Sequence, residues 1–347
     1  MSEQGTTATE AGRARGSALD RATVETVVAV ANRAPSIHNT QPWVWVLHPS
    51  HLQLRADRDR QLRVADPDGH SLLISCGAAL ALTEIGLRAA GWEIEVRRLP
   101  DPGDPDLLAE FTVGPPRQPD AHDTDLFAAA HRRQSDRRPF LPQDIPAETV
   151  DLLRAAAAVP GVRADFPVRP EQRVNLAVAV SWADRTERRD PEYIAEMNRW
   201  LHDSDVHADG VPASAIPHVP PGQPRHTDVP LRDFEVGVSG RLLIERDVDE
   251  RPLIAVLLTE SDTALEQLRA GEAMLRLMLE AELLGLGTCP LSQAVDLIAF
   301  RTRISTLMGW QGLAQMMLRI GYPAPGDLRA ARTPRRPVAD VLKVVPA

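Results

Sequence analysis

The sequence predicts an α+β fold built from two related halves, and three features of the chain carry that expectation. Segments with helical and strand periodicity interleave without the regular strand–helix–strand beat of a parallel sheet, which points to helices packed on antiparallel or mixed sheets. Short matches in the first half return in the second at fixed offsets. One long segment, at about 190–250, interrupts the second half alone and carries neither period.

In chain order the expected elements are helix 20–33, strands 43–47 and 53–55, helix 71–90, strands 92–98 and 109–113, helices 122–133 and 146–158, strand 162–168, helix 171–188, the interruption, strand 252–258, helix 263–284, a loop to 295, helix 297–308 and strand 314–320. Helices 20–33 and 146–158 are Ala-, Val- and Leu-rich runs that stop near Pro35 and Pro160, because proline cannot continue a helix. Helices 71–90 and 263–284 run into Gly91 and Gly285, the residue type that enters the left-handed conformation at a helix end most cheaply. The strands at 109–113 and 314–320 likewise end at Gly114 and Gly321. Within the interruption, Tyr193, Met197, Trp200 and Leu201 allow one short helix.

The internal repeat can be written down. Thr23-Val24-Glu25 returns as Thr149-Val150-Asp151 at an offset of 126, and Gly77, Ala79, Leu80 and Gly91 return as Gly271, Ala273, Met274 and Gly285 at an offset of 194. Phe111-Thr112-Val113-Gly114 returns as Leu318-Arg319-Ile320-Gly321. The growth in offset places about 68 extra residues in the second half, mostly between Asp190 and Glu250, where VPASAIPHVPPGQPRHTDVP stands. Such an insertion reads as a lid, with a mobile loop as the alternative. The expected organisation is a disordered leader at 1–17, a first half at 18–120 and a second half at 121–347 that contains the insertion.

At 347 residues the chain can bury roughly three quarters of its surface, so neither disulfides nor a structural metal is needed. Cys76 and Cys289 both sit in apolar stretches and cannot build a disulfide framework, which favours a reducing, cytoplasmic setting. A net charge of −9 disfavours generic nucleic-acid binding. The longest apolar run, about Leu72 to Leu82 and broken by Ser75 and Gly77, falls short of the ~20 residues that span a bilayer. The polar N-terminus carries no apolar signal core.

Three segments carry chemistry. Between a helix and a strand, Ala34-Pro35-Ser36-Ile37-His38-Asn39-Thr40-Gln41-Pro42-Trp43 is stiffened by two prolines and displays Ser, His, Asn and Gln, which can hydrogen-bond the carbonyls and ring nitrogens of a planar heterocycle; alone, it also fits a helix end followed by a turn. Arg133, Ser135 and Arg137 alternate, so an extended backbone would aim two guanidiniums and a hydroxyl at one phosphate; a solvated arginine run is the alternative. Gly285-Leu286-Gly287-Thr288-Cys289-Pro290-Leu291-Ser292-Gln293 closes a helix rather than opening one, so it is no dinucleotide fingerprint, and it leaves a turn whose backbone N–H groups can meet a flat ligand.

Together these segments resemble the nitroreductase family of FMN flavoproteins, and within it the Acg-like proteins, duplicated nitroreductases with a lid. The resemblance covers about residues 20–340 apart from the insertion. It implies a nitroreductase-like fold in which two fused halves form an intramolecular pseudo-dimer, and one FMN held by Arg133, Ser135 and Arg137 at the phosphate. Pro35, Ser36, Ile37, His38, Asn39, Thr40 and Gln41 would meet the ring and ribityl chain, and Cys289, Pro290, Leu291, Ser292 and Gln293 the isoalloxazine. After Gly321-Tyr322-Pro323, Arg335 and Arg336 are the nearest counterparts of a further basic residue that grips the phosphate in the family. One site is implied because the first segment type occurs in the first half alone and the second type in the second half alone. Arg138-Pro139-Phe140 adds a residue before the family's phenylalanine.

The resemblance implies two-electron transfer from NAD(P)H through FMN to a small-molecule substrate, with no side-chain nucleophile and His38 as the candidate for a catalytic proton. A lidded protein that holds FMN with little turnover and a biosynthetic FMN-dependent dehydrogenase are the alternatives. His202, His207, His218 and His226 lack the spacing of a metal site, so no metal is expected. Neither nucleic acid nor membrane is an expected partner, and the fused halves allow a monomer or a weak dimer.

Overall fold

The computed structural model describes residues 19–204, 206–218, 227, 229–230, 232, 234, 239–243, 250–323 and 332–346. The leader expected at 1–17 and part of the insertion therefore lie outside the described residues. The elements of the first half are α1 (Arg21–Ala31), β1 (Trp43–Leu47), β2 (Leu52–Ala56), α2 (His70–Ala89), β3 (Trp92–Arg98) and β4 (Leu107–Pro116), followed by α3 (Ala121–Ala129). Then come α4 (Ala147–Ala156), β5 (Val162–Asp165), α5 (Pro170–Glu187) and α6 (Pro191–Arg199), with short pairs β6 (Leu201–His202), β7 (Val211–Pro212), β8 (Pro217–His218) and β9 (Leu242–Leu243). The chain finishes with β10 (Leu253–Thr259), α7 (Ala264–Leu283), β11 (Gly287–Leu291), α8 (Ile298–Met308), β12 (Leu313–Gly321), α9 (Val338–Val341) and β13 (Leu342–Val344).

Local chemistry sets the helix ends. The Asp20 carboxylate caps α1 at the Thr23 amide, and Thr263 and Glu266 cap each other reciprocally at the start of α7. Gly91 and Gly285 follow α2 and α7 with φ of +87° and +73°, which gives both helices the left-handed stop.

Two sheets flank the paired helices, one in the order β13-β1-β2-β4-β3 and the other β11-β12-β10-β5. Their strand pairings repeat residue for residue. Ile94 pairs with Val113 and Val96 with Phe111, as Thr288 pairs with Ile320 and Pro290 with Leu318. Leu52 opposite Phe111 returns as Ala255 opposite Leu318, and the register slips between Leu54 and Arg55 in one sheet and between Leu257 and Leu258 in the other, the same place in each.

One expectation from sequence is corrected and two are filled out. The loop to residue 295 contains β11, the edge strand of its sheet next to β12, where Pro290 is tolerated because an edge strand can lack a donor. The short helix expected within the insertion is α6, capped by Asp190, which packs Tyr193 and Met197 with Leu62, Ala65, Val211 and Ile216. The longest apolar run lies in the 20-residue α2, whose most apolar 18-residue stretch has a mean hydropathy of 1.5; 89% of that stretch is buried inside the protein, and the helix serves as its core.

The centre of the core is the crossing of α2 and α7. A Cβ at Gly77 would stand 2.0 Å from the Leu268 carbonyl oxygen, and one at Gly271 would stand 2.0 Å from that of Ile74. Leu268 lies three residues before Gly271 and Ile74 three before Gly77, so the contact is reciprocal. The nearest atoms belong to backbone, so a methyl group forces the helices apart. Gly77→Ala and Gly271→Ala are each expected to lower the unfolding free energy by about 3 kcal/mol in urea titrations, whereas Gly285→Ala, which meets nothing within 4 Å, loses about 1 kcal/mol to its positive φ. Equal losses at all three positions would contradict the crossing as the tight point.

Candidate functional site

Beside that crossing lies an open cavity whose free space, counted to the solvent at its mouth, is about 1130 Å³. Its floor is helical: Ser71, Ile74 and Ser75 stand at i, i+3 and i+4 on α2, and Met274 reaches in from α7. The walls come from distant parts of the chain: 35–39, 133–137, 289–293 and 333–335, closed over by Val211, Ala215, Arg232 and Phe234 of the insertion.

The segment after α1 adopts a costly backbone. His38, Asn39 and Gln41 have φ of +44°, +56° and +50°, and Leu99 is the one other non-glycine with positive φ among the described residues. Left-handed conformation costs such residues about 1–2 kcal/mol each, so the neighbours must hold it. Ser36 Oγ accepts from the Gln41 amide at 3.0 Å, and Asn39 Nδ2 donates to the Gly210 and Pro334 carbonyls at 3.0 and 3.1 Å. Pro35, Ser36, Ile37, His38 and Asn39 line the cavity as a result. Thr40 and Gln41 do not: the Gln41 amide donates to Ala208 O at 2.9 Å and accepts from the Arg336 amide at 2.8 Å.

Arg133, Ser135 and Arg137 face the cavity, while Asp136 and Arg138 between and after them turn to the opposite side and pair at 2.6 Å. Ser135 bridges to Thr288 in parallel, and Asp136 donates its amide to Thr288 O, which ties this segment to β11. Beneath it, buried Arg319 pairs with Glu250, donates to the Asp136 and Arg138 carbonyls, and lies 4.1 Å over the Phe140 ring. The residue inserted before Phe140 is therefore a structural ion-pair partner.

Arg335 lines the same end as Arg133; Arg336 points away and meets Asp57 at 3.4 Å and Gln41 O at 3.2 Å. Burial pushes the Arg133 guanidinium down to about 10 with Arg33 adding to the effect, and burial with Arg133 and Arg33 pushes Arg335 down to about 9. Burial also lowers Arg137, whose Nη1 donates to Ala215 O at 3.2 Å and whose guanidinium sits 4.9 Å from the Phe234 ring centre.

On the other wall, Cys289, Pro290, Leu291, Ser292 and Gln293 line the cavity along β11 and the turn after it. Burial pushes the Cys289 thiol up, which keeps it neutral. His38 is held well below its ordinary 6.5 by burial and by the charges of Arg232 and Arg137, so it is a neutral imidazole near pH 7, a hydrogen-bonding group rather than a proton source. Arg232 is itself anchored by Glu187, Tyr193 and Asp296.

Five buried side-chain polar atoms along these walls have no partner: His38 Nε2, Asn39 Oδ1, Arg133 Nη1, Gln293 Nε2 and Arg335 Nε. Twelve buried side-chain polar atoms among the described residues have no partner, and these five gather around one cavity, where a polar ligand could satisfy them. Cations at one end suit a phosphate, and the imidazole and two amides suit a ring with donors and acceptors at its edge. Sequence reasoning missed Ser71 and Ser75, legible as polar residues one turn apart on an apolar helix, and Arg232 and Phe234, which no motif marks.

No family model matches the sequence. Two Mycobacterium tuberculosis proteins that carry the name "Putative NAD(P)H nitroreductase" are similar to this chain along almost all of its length. Rv3131 is 37% identical over 325 residues, 93% of this chain and 92% of that protein. The second, acg, is 30% identical over 329 residues, 92% of this chain and 95% of that protein. Among solved structures, that of the FMN-dependent nitroreductase NfnB from Mycobacterium smegmatis in complex with NADPH is 18% identical, with 62% of this chain and 97% of that one covered at a TM-score of 0.38.

The neutral state of His38 has a measurable consequence. Because its folded pKa is depressed, the unfolded chain takes up a proton first as the pH falls through 6.5, and this residue's contribution to stability is lost below that point. In ring-nitrogen NMR of the folded protein, His38 is expected to stay neutral through pH 6.5; a midpoint at or above 6.5 would contradict the burial argument.

Proposed function

Since this chain belongs to the NAD(P)H nitroreductase family, in the group that includes acg, we propose that it holds one FMN in the cavity and moves two electrons from a reduced nicotinamide nucleotide to a small organic acceptor. The observation that carries this reading is the set of five unpartnered buried polar atoms, with cations at one end and neutral donors and acceptors along the walls. FMN would supply the reversible two-electron carrier, and the protein its position and electrostatic surroundings.

In this reading Arg133, Ser135 and Arg335 hold the phosphate. Asn39 and Gln293 bond the ring and its side chain, while the neutral His38 donates or accepts a hydrogen bond. The cationic wall favours negative charge as it develops on a bound ring, since fixed charges in a water-poor site need no reorganisation. The segment 190–250 acts as a lid, through Val211, Ala215, Arg232 and Phe234.

The two halves form an intramolecular pseudo-dimer with one working site. This is supported by the repeated strand registers and by what stands at the mirrored positions: an offset of 194 replaces Ser71, Ser75 and Ser292 with Leu265, Arg269 and Arg98, all larger. Arg98 fills its place in an ion pair with buried Glu272 at 2.6 Å.

A second reading, an FMN-holding protein with slow turnover, is favoured by Phe234, which stands 5.7 Å from His38 ring centre to ring centre and leaves little room over the site. Anaerobic NADPH bleaches the bound flavin within seconds under the first reading and leaves it oxidised under the second. Arg133→Ala and Arg335→Ala each remove charge-assisted hydrogen bonds and are expected to weaken FMN binding by about 10–100-fold in fluorescence titrations. Either variant retaining full flavin occupancy at sub-micromolar FMN would refute the phosphate assignment.

A further inference from the structure

The outer face of α5 is apolar where a solvent-facing helix is ordinarily polar. Its inner residues Leu176, Ala179, Val180 and Ala183 are buried, and Trp182 meets Phe300 of α8 at 5.0 Å between ring centres. On the other side Val174 and Val178, with Val168 just before the helix, are exposed at 61, 49 and 67%. They border a groove of about 950 Å³, counted to open solvent, in which the small Ala177 and Ser181 leave the helix backbone open to close approach. Exposed Leu307 at the end of α8 extends this surface, and its carbonyl accepts from Asn175 of α5 at 3.2 Å. Single surface hydrophobes need no account, whereas a contiguous row beside a groove marks a contact surface.

The charges on this face indicate what covers it. Glu171, Val174, Val178, Ser181 and Arg185 follow one another at spacings of three and four residues, so one stripe of the helix runs from an acid to a base, with Val178 seven residues from each. Glu171 and Arg185 are exposed, and among the described residues neither has an ion-pair partner. A second α5 laid antiparallel on the first, about a two-fold axis at Val178, sets valine against valine and brings each Glu171 level with the other copy's Arg185. These charges stand about 10 Å along the helix from the axis, where helices that cross at about 20° remain close enough for the two side chains to meet. A parallel arrangement would set like charges together. Residues 1–18 contain no valine, leucine, isoleucine or aromatic residue, so the start of the chain has nothing with which to fill the groove.

We propose that α5 is an interface between two copies of this chain, a two-fold dimer in which the valine row packs on itself and the Glu171–Arg185 pairs fix the antiparallel register. It is separate from the α2–α7 crossing, which lies inside each chain. On its buried side α5 carries Glu187, which holds Arg232 on the cavity wall at 3.1 Å, so the second copy rests on the outside of an element that supports the candidate site. The exposed row is short, and the dimer is accordingly a weak one.

Sedimentation equilibrium of the full-length protein tests this. The native chain is expected to associate to a dimer with a Kd on the order of 10–100 µM. Val178→Glu puts two carboxylates on the axis, and Glu171→Arg and Arg185→Glu each set like charges opposite one another twice; each variant is expected to weaken association by about tenfold or more. The double variant Glu171→Arg/Arg185→Glu restores opposite charges and is expected to return within about threefold of the native Kd, which separates loss of pairing from loss of fold. A native chain that stays monomeric throughout that range, a dimer that Val178→Glu leaves intact, or a double variant that fails to regain association would each overturn the proposal.

Discussion

Everything at the centre of this molecule depends on two backbones touching. At Gly77 and Gly271 the helices α2 and α7 approach until a single methyl group would collide with a carbonyl oxygen of the other helix. That distance fixes how the two sheets sit, and it places Ser71, Ile74 and Ser75 on one helix and Met274 on the other at the edge of the same cavity. A wider crossing would separate the floor from its walls. The reciprocity of the contact, and the agreement of strand registers down to a shared irregularity, support the proposal that the two halves solve one packing problem twice.

The two solutions have diverged where chemistry is concerned. Around the cavity, small and polar side chains leave space, and the strained backbone at His38, Asn39 and Gln41 is held by contacts to the insertion and to Pro334. At the mirrored positions, long side chains fill the volume and Arg98 is neutralised by Glu272. The same contrast separates the arginines: Arg138, Arg232 and Arg319 have carboxylate partners, whereas Arg133 and Arg335 are buried without them among the described residues. Unpaired buried charge is expensive unless a ligand compensates it, so in the proposed reading the distribution of carboxylates separates structural arginines from binding ones.

Much of this was legible in the sequence. The glycine pairs at 77 and 271 and at 91 and 285 define α2 and α7 to within a residue, because glycine is required at a close approach and at a left-handed stop. Alternation at Arg133, Ser135 and Arg137 was readable because an extended segment sends every second side chain the same way. Other features had no such signal. β11 hid behind Pro290, and β13 is three residues long, too short for any period, yet it pairs in parallel with β1 and carries the end of the chain into the first half's sheet. Arg232 and Phe234 reach the cavity through tertiary contacts of the insertion, which a pattern along the chain does not encode. Gln41 and Arg336 sit inside or beside the right motifs but are turned away by hydrogen bonds, and Thr40 is buried outside the cavity lining.

One asymmetric site in a doubled scaffold is the central claim, and stoichiometry tests it most directly. Native mass spectrometry of the chain after reconstitution with excess FMN should show a single species carrying one flavin per chain, less populated for Arg133→Ala at the same FMN concentration. Two flavins per chain would mean that the mirrored position is open despite Arg98 and Glu272, and no flavin at any concentration would mean that the cavity's unpartnered cations serve a different ligand.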